Sequence, residues 1–159
     1  MLRLFMFASF LALLAGPLQA EEITGTAKAI DGDTMVVGLT TVRLLGIEAP
    51  ELSQTCTSKK GKLQHCGDLA RQMLDTLTKN VKVRCKTDGK DADGTPRAAC
   101  FAGPFDINEQ MIAAGWAFAV LGEVLAYARA ENFAKARSEG IWLGTFVSPA
   151  QWRKDNGAQ

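Results

Sequence analysis

The chain has almost no excess of one charge: Lys and Arg total 18 against 17 Asp and Glu, a formal net charge of +1. That balance excludes the cationic bulk surface of a protein that coats a polyanion by charge alone, so any polyanion must bind at a local site. Proline (5) and glycine (15) are too few for a collagen-like or broadly disordered chain. Histidine is scarcer still, with His65 alone, and so is tyrosine, with Tyr127 alone. Beyond the first twenty residues no apolar run reaches the roughly 18 to 20 residues needed to cross a bilayer. What remains is the composition of one compact domain.

Those first twenty residues, MLRLFMFASFLALLAGPLQA, stand apart. An early Arg3, an apolar run from Leu4 to Ala15, a Gly-Pro break and the small Ala20 before Glu21-Glu22 form the pattern of a secretory signal. The run is too short for a membrane anchor. Residues 1–20 are therefore expected to be removed, leaving a single domain over 21–159 with no membrane attachment, acting in the periplasm or outside the cell. The segment carries Arg3 and no acid, so the remainder balances at 17 charges of each sign.

Export turns the four cysteines into disulfide candidates. Cys56 and Cys66 flank a polar loop, and Cys85 and Cys100 lie in two strand-like runs separated by a turn-rich segment. Sequential pairing, Cys56–Cys66 and Cys85–Cys100, is the local solution. Separations of ten and fifteen, with a single histidine, do not match a zinc site.

Alternation dominates the first third of the chain and helical periodicity comes later. Ile23–Ile30, Met35–Leu39 and Thr41–Leu45 read as a three-stranded meander. A helix follows from Gly67 to Asn80 with Leu69, Met73, Leu74 and Leu77 on one face. Val81–Lys86 and Arg97–Phe101 are two more strands, joined by the turn-rich TDGKDADGTP. Asp106 and Glu109 have the spacing of a capping box for a short helix ending near Gly115. A longer helix is expected over 123–139, burying Ala126, Ala130 and Phe133 and stopping at Gly140. The expected fold is α+β with a mostly β core: a five-stranded Greek-key barrel of the OB type, one helix between strands 3 and 4, and two C-terminal helices.

The chemistry clusters before the first cysteine. Asp31-Gly32-Asp33-Thr34 by itself reads as an Asp-Gly hairpin turn. The segment from Val42 to Glu51, VRLLGIEAPE, instead places an arginine in an apolar strand and two acids around a proline at its end, a concentration of charge that no turn requires. Asp33, Glu48 and Glu51 offer hard oxygen ligands for a divalent cation and a carboxylate able to orient water, and Arg43 offers a planar donor fork for phosphate. These are the parts of a phosphodiesterase.

At these residues the chain resembles the thermonuclease, or staphylococcal-nuclease-like, family, and specifically its secreted, disulfide-containing bacterial members. The resemblance rests on AIDGDT at 29–34, VRLLGIEAPE at 42–51, the cysteine pair around a polar loop, DIN..MI..GWA at 106–117, GIWLGTF at 140–146 and the Trp152 tail. It implies the same barrel. It also implies that Asp33, Glu48 and the Ala49 carbonyl hold one Ca2+, that Glu51 is the general base, and that Arg43 binds the scissile phosphate. The expected substrate is single-stranded DNA or RNA, cut internally with little regard to base by a monomer. Lys59 and Lys60, in the most basic cluster of the chain, either steer the polyanion or only solubilise the disulfide loop.

Three departures from the family pattern stand out. Glu48 occupies a position usually held by aspartate. Thr95 occupies the place of a second catalytic arginine, while Arg97 lies two residues on, on the same strand face but displaced by roughly 6 to 7 Å; the unshifted Cys100 argues against a simple insertion. Ala92 and Asp93 stand where basic and aromatic side chains often contact the nucleotide, and stacking platforms are thin unless Trp116 or Phe118 is exposed. The GWAFAV run reads as core. Two classes of function stay open: a calcium-dependent nuclease using Arg43, Glu51 and Arg97, or a disulfide-stapled barrel that binds nucleic acid, glycan or protein without efficient turnover.

Overall fold

The computed structural model describes residues 22–157. The proposed signal at 1–20 lies outside them. In chain order the strands and helices are β1 (Glu22–Gly25), β2 (Ala27–Ala29), β3 (Thr34–Val37), β4 (Thr40–Leu44), β5 (Ile47–Glu48), β6 (Thr55–Thr57), β7 (Leu63–His65), α1 (Cys66–Thr78), β8 (Val83–Lys90), β9 (Pro96–Ala102), β10 (Phe105–Asp106), α2 (Ile107–Ala113), β11 (Phe118–Ala119), α3 (Leu125–Arg137), a 3₁₀ turn (Gly140–Leu143) and α4 (Pro149–Asn156).

The main sheet runs β1-β8-β9-β4-β3-β2. Its two ends, β1 and β2, are separated only by Thr26, so one bent strand pairs with β8 through its first half and with β3 through its second. Five long strands thus wrap around a common interior, with β4 and β9 parallel and the other neighbours antiparallel. This is the expected OB-type barrel. Alternation drives it: Met35, Val37, Val42, Leu44, Val83, Cys85, Ala98 and Cys100 point inward and are buried, while the residues between them face outward. Helix α1 closes one side of the barrel through Ala70 and Leu74, and α2 adds Ile107, Met111 and Ile112.

Both expected disulfides form. Cys85 and Cys100 are direct cross-strand partners inside the barrel. Cys56–Cys66 anchors a second apolar cluster with Ile141, against which Phe118, Trp142 and Phe146 pack with ring centroids 5.1 to 5.4 Å apart.

Several local expectations are corrected. Leu69 is only half-buried and lies off the core, because Ala70 and Leu74 take the inner face of α1. The fourth strand begins at Val83 rather than Val81 and continues to Lys90 through an irregularity after Thr87, so the turn shrinks to a few residues around Asp91–Thr95. Phe133 is 53% exposed. Ala130 is buried as expected and Ala126 packs partly buried against the core, while Tyr127 and Ala134 are buried in place of Phe133, with the Tyr127 hydroxyl donating to Asp106 at the start of α2. Helix α3 ends before Gly140, at Ser138, which adopts the left-handed conformation at φ 54°. A further helix, α4, begins on a Ser148 cap followed by Pro149, a standard helix start. Trp116 and Phe118 are half-buried against the two apolar clusters, as a core run would be.

Candidate active site

The loop between β2 and β3 is organised by its own acids. Asp31 Oδ1 accepts from the backbone N–H groups of Asp33 (2.9 Å) and Thr34 (2.7 Å), which turns the Asp33 carboxylate toward the end of β4. There Asp33 Oδ2 accepts from Ala49 N–H (2.9 Å) and Oδ1 from the Thr34 hydroxyl (3.0 Å). A side chain at Gly32 would sit 2.5 Å from the Ala49 Cβ and 2.7 Å from the Ala70 Cβ, so the close approach of this loop requires glycine. Burial, followed by the charge of Asp31, pushes the Asp33 carboxyl up to about 7, with the Ala49 and Thr34 hydrogen bonds and Arg43 pulling the other way.

Glu48 is set by β5, where it pairs with Phe118 of β11. Pro50 then breaks the strand, and Glu51 is fixed at its backbone: its N–H donates to the side-chain oxygen of Gln54 (3.1 Å), and its carbonyl accepts from Gln54 N–H (2.7 Å). Gln54 is wholly buried and also donates to the Val147 carbonyl at 2.8 Å. Gly67 lets α1 start directly against this turn, since a Cβ there would fall 1.9 Å from the Glu51 carbonyl oxygen.

Arg43 and Arg97 lie on β4 and β9 as direct partners in the parallel pairing. Both point outward by strand alternation, and both reach Asp91. Arg43 Nη1 meets Asp91 Oδ2 at 2.8 Å and Arg97 Nε meets Oδ1 at 3.4 Å. Arg97 also pairs with Glu123. Thr95, by contrast, is spent in the turn, its N–H donating to Asp93 at 2.9 Å. The guanidinium that enters the site from this hairpin is therefore at 97 and not at 95.

These groups line one solvent-open cavity of about 610 Å³, containing Asp33, Arg43, Glu48, Ala49, Glu51 and Arg97 together. Lys59 and Lys60 are not among its lining residues; they sit on the exposed turn between β6 and β7. Two partners in the cavity, Glu123 and Arg153, carry no signal in the sequence. Asp91 and Glu123 hold the arginines, and Arg153 of α4 pairs with both Glu48 and Glu51, the latter at 2.6 Å. Strand alternation alone marks Arg97; only a fold can bring residue 153 to residues 48 and 51.

Six carboxylates (Asp31, Asp33, Glu48, Glu51, Asp91, Glu123) face three arginines in this cavity. Such an acidic hollow repels a phosphate unless a cation enters first. Its donors are hard oxygens, the set preferred by calcium or magnesium. Among the described residues, no three carboxylate, thiolate or imidazole groups converge into a preformed metal cage. Glu48 and Glu51 turn to Arg153 instead.

Fold and site together define an OB-type barrel with two arginines facing a group of acids across one cleft. The family model described as staphylococcal nuclease homologue matches residues 41–144, and the chain belongs to that family. Two relatives extend the match. The chain is 35% identical over 126 residues to a Rhizobium meliloti protein named succinoglycan biosynthesis protein ExoI, covering 77% of this chain and 66% of that protein. It is 30% identical over 136 residues to a Haemophilus influenzae protein named as an uncharacterized endonuclease, covering 80% of this chain and 70% of the relative. The family match includes Arg43, Glu48, Glu51 and Arg97. It excludes Asp33 and Arg153, which come from either side of it.

Proposed function

We propose that this protein is an exported, cation-dependent phosphodiesterase that cuts DNA or RNA strands internally with little regard to base. The observation that carries this reading is the placement of Arg43 and Arg97 side by side on neighbouring strands, in one cavity with Asp33, Glu48 and Glu51. Membership of the nuclease family and a relative named as an endonuclease support it. The two disulfides, and the absence among the described residues of a helix long and apolar enough to cross a membrane, fit a periplasmic or extracellular site of action.

Asp33, Glu48 and the Ala49 carbonyl are the residues that would hold a calcium ion. Bound there, the ion supplies charge neutralisation for phosphate and a lowered pKa for water. Glu51 acts as general base toward the attacking water, and its backbone clamp to Gln54 suits that task. Arg43 and Arg97 take the non-bridging phosphate oxygens, trading their contacts with Asp91 and Glu123 for the substrate and stabilising the charge that builds up at phosphorus. Lys59 and Lys60 contribute at most diffusional steering, and the protein works as a monomer.

The deciding experiment incubates the protein with single-stranded DNA and with RNA, in calcium and then in chelator, for the wild type and Glu51→Gln. Cleavage that needs calcium and drops by about 10²-fold or more in Glu51→Gln is expected. Cleavage unaffected by chelator or by the substitution would refute the assignment. Binding without any cleavage would make the chain a nucleic-acid-binding barrel.

A further inference from the structure

Glu48 and Glu51 lie three residues apart on either side of Pro50, and both carboxylates enter the same cavity. Two like charges so placed repel. Among the described residues the only ion pairs that reach them come from Arg153, whose Nη1 meets Glu51 Oε1 at 2.6 Å and whose Nη2 meets Glu48 Oε1. Burial pulls the Arg153 guanidinium toward a lower pKa, but its contacts with Glu51 and Glu48 outweigh this and hold it firmly charged.

Helix α4 has little other reason to sit here. Pro149 is its one buried residue, and Trp152 and Arg153 are half-buried. Its approach is held by Gln54, which bonds the Glu51 backbone at one end and the Val147 carbonyl at the other. The C-terminal segment thus grips Glu51 twice, through its main chain by way of Gln54 and through its side chain by way of Arg153.

We infer that Arg153 is a positioning residue: its planar fork spans Glu48 and Glu51, holds their carboxylates at a set separation, and keeps Glu51 aimed into the cavity. This rests on the phosphodiesterase reading in which Glu51 is the base. A lysine could not do the same, because an ammonium is a point charge and a guanidinium presents two donors to two acceptors at once.

The test compares Arg153→Gln and Arg153→Lys with the wild type by two measurements. In amide hydrogen exchange without substrate, Arg153→Gln should speed exchange across residues 48–54 by about fivefold or more, leaving the β8–β9 hairpin unchanged. In steady-state cleavage of single-stranded DNA at saturating calcium, kcat should fall about tenfold with KM within about twofold, as expected when a catalytic group is misplaced and substrate contacts are kept. Arg153→Lys should recover only part of each loss. Unchanged exchange over 48–54 overturns the inference. So does a raised KM with kcat intact, which would make Arg153 a substrate-binding group. If the wild type leaves nucleic acid uncut, the hydrolytic reading falls, while the exchange result still decides whether Arg153 holds the two glutamates.

Discussion

Arg43 and Arg97 are register partners across the parallel β4–β9 pairing, and a single carboxylate, Asp91, is divided between them at 2.8 and 3.4 Å. The pairing places two guanidinium groups on one outward face, and Asp91 of the hairpin turn bridges them.

On the proposed reading, position 95 is expected to be dispensable for cleavage and position 97 is not. Arg97→Ala should lower the cleavage rate by about 10² to 10³, comparable to Arg43→Ala. Thr95→Ala should stay within about threefold of the wild type. Single-turnover cleavage of a labelled single strand compares the three.

Asp33 links the site to pH. Burial and Asp31 raise its carboxyl from 3.8 to about 7. Between about pH 4 and 7 the folded protein retains a proton that the unfolded chain has released, so this group's contribution to stability declines as pH rises through that window. Asp33→Asn abolishes the titration. In thermal unfolding without divalent cations, the Tm of the variant relative to the wild type should climb from about pH 4 to about pH 7 and level off above it.

Gly67 tests the backbone clamp. Its Cβ would overlap the Glu51 carbonyl oxygen, so Gly67→Ala must displace the Glu51 turn, costing about 1 to 3 kcal/mol of stability and most of the activity. Gly61, with positive φ but nothing within 4 Å, is the control: Gly61→Ala is strained in its own turn and should leave the rate unchanged. Denaturant unfolding and cleavage assays on the two variants separate these outcomes.

The buried Cys85–Cys100 bridge closes a loop of 15 residues, for which the chain-entropy argument gives about 3 kcal/mol. Cys85→Ala/Cys100→Ala should lose that order of stability in denaturant melts. Below its midpoint it should still cut substrate, because both cysteines face the barrel interior while Arg97 faces out.

The barrel and half of the site were legible in the sequence for a simple reason. Strand alternation is local, and Asp33, Arg43, Glu48 and Glu51 lie within one short stretch that folds as a meander. Arg97 was legible as a same-face neighbour of position 95, though its register opposite Arg43 was not. Arg153 was out of reach, since nothing around residue 153 signals contact with residues 102 and 105 positions earlier. On α3 the expected Ala130 is buried but Phe133 is not: with alanines at 126, 128, 130, 134 and 136, periodicity does not fix the inward face closely, and Tyr127, bonded to Asp106, sets it.

The cavity draws its parts from both extremities of the described chain, with Asp33 near one end and Arg153 near the other. A polypeptide emerging amino end first, from a ribosome or through a translocation pore, delivers its barrel strands well before residue 153. Until the last helix docks, Glu48 and Glu51 lack the one ion-pair partner they have among the described residues, so the cleft is completed only when the tail arrives.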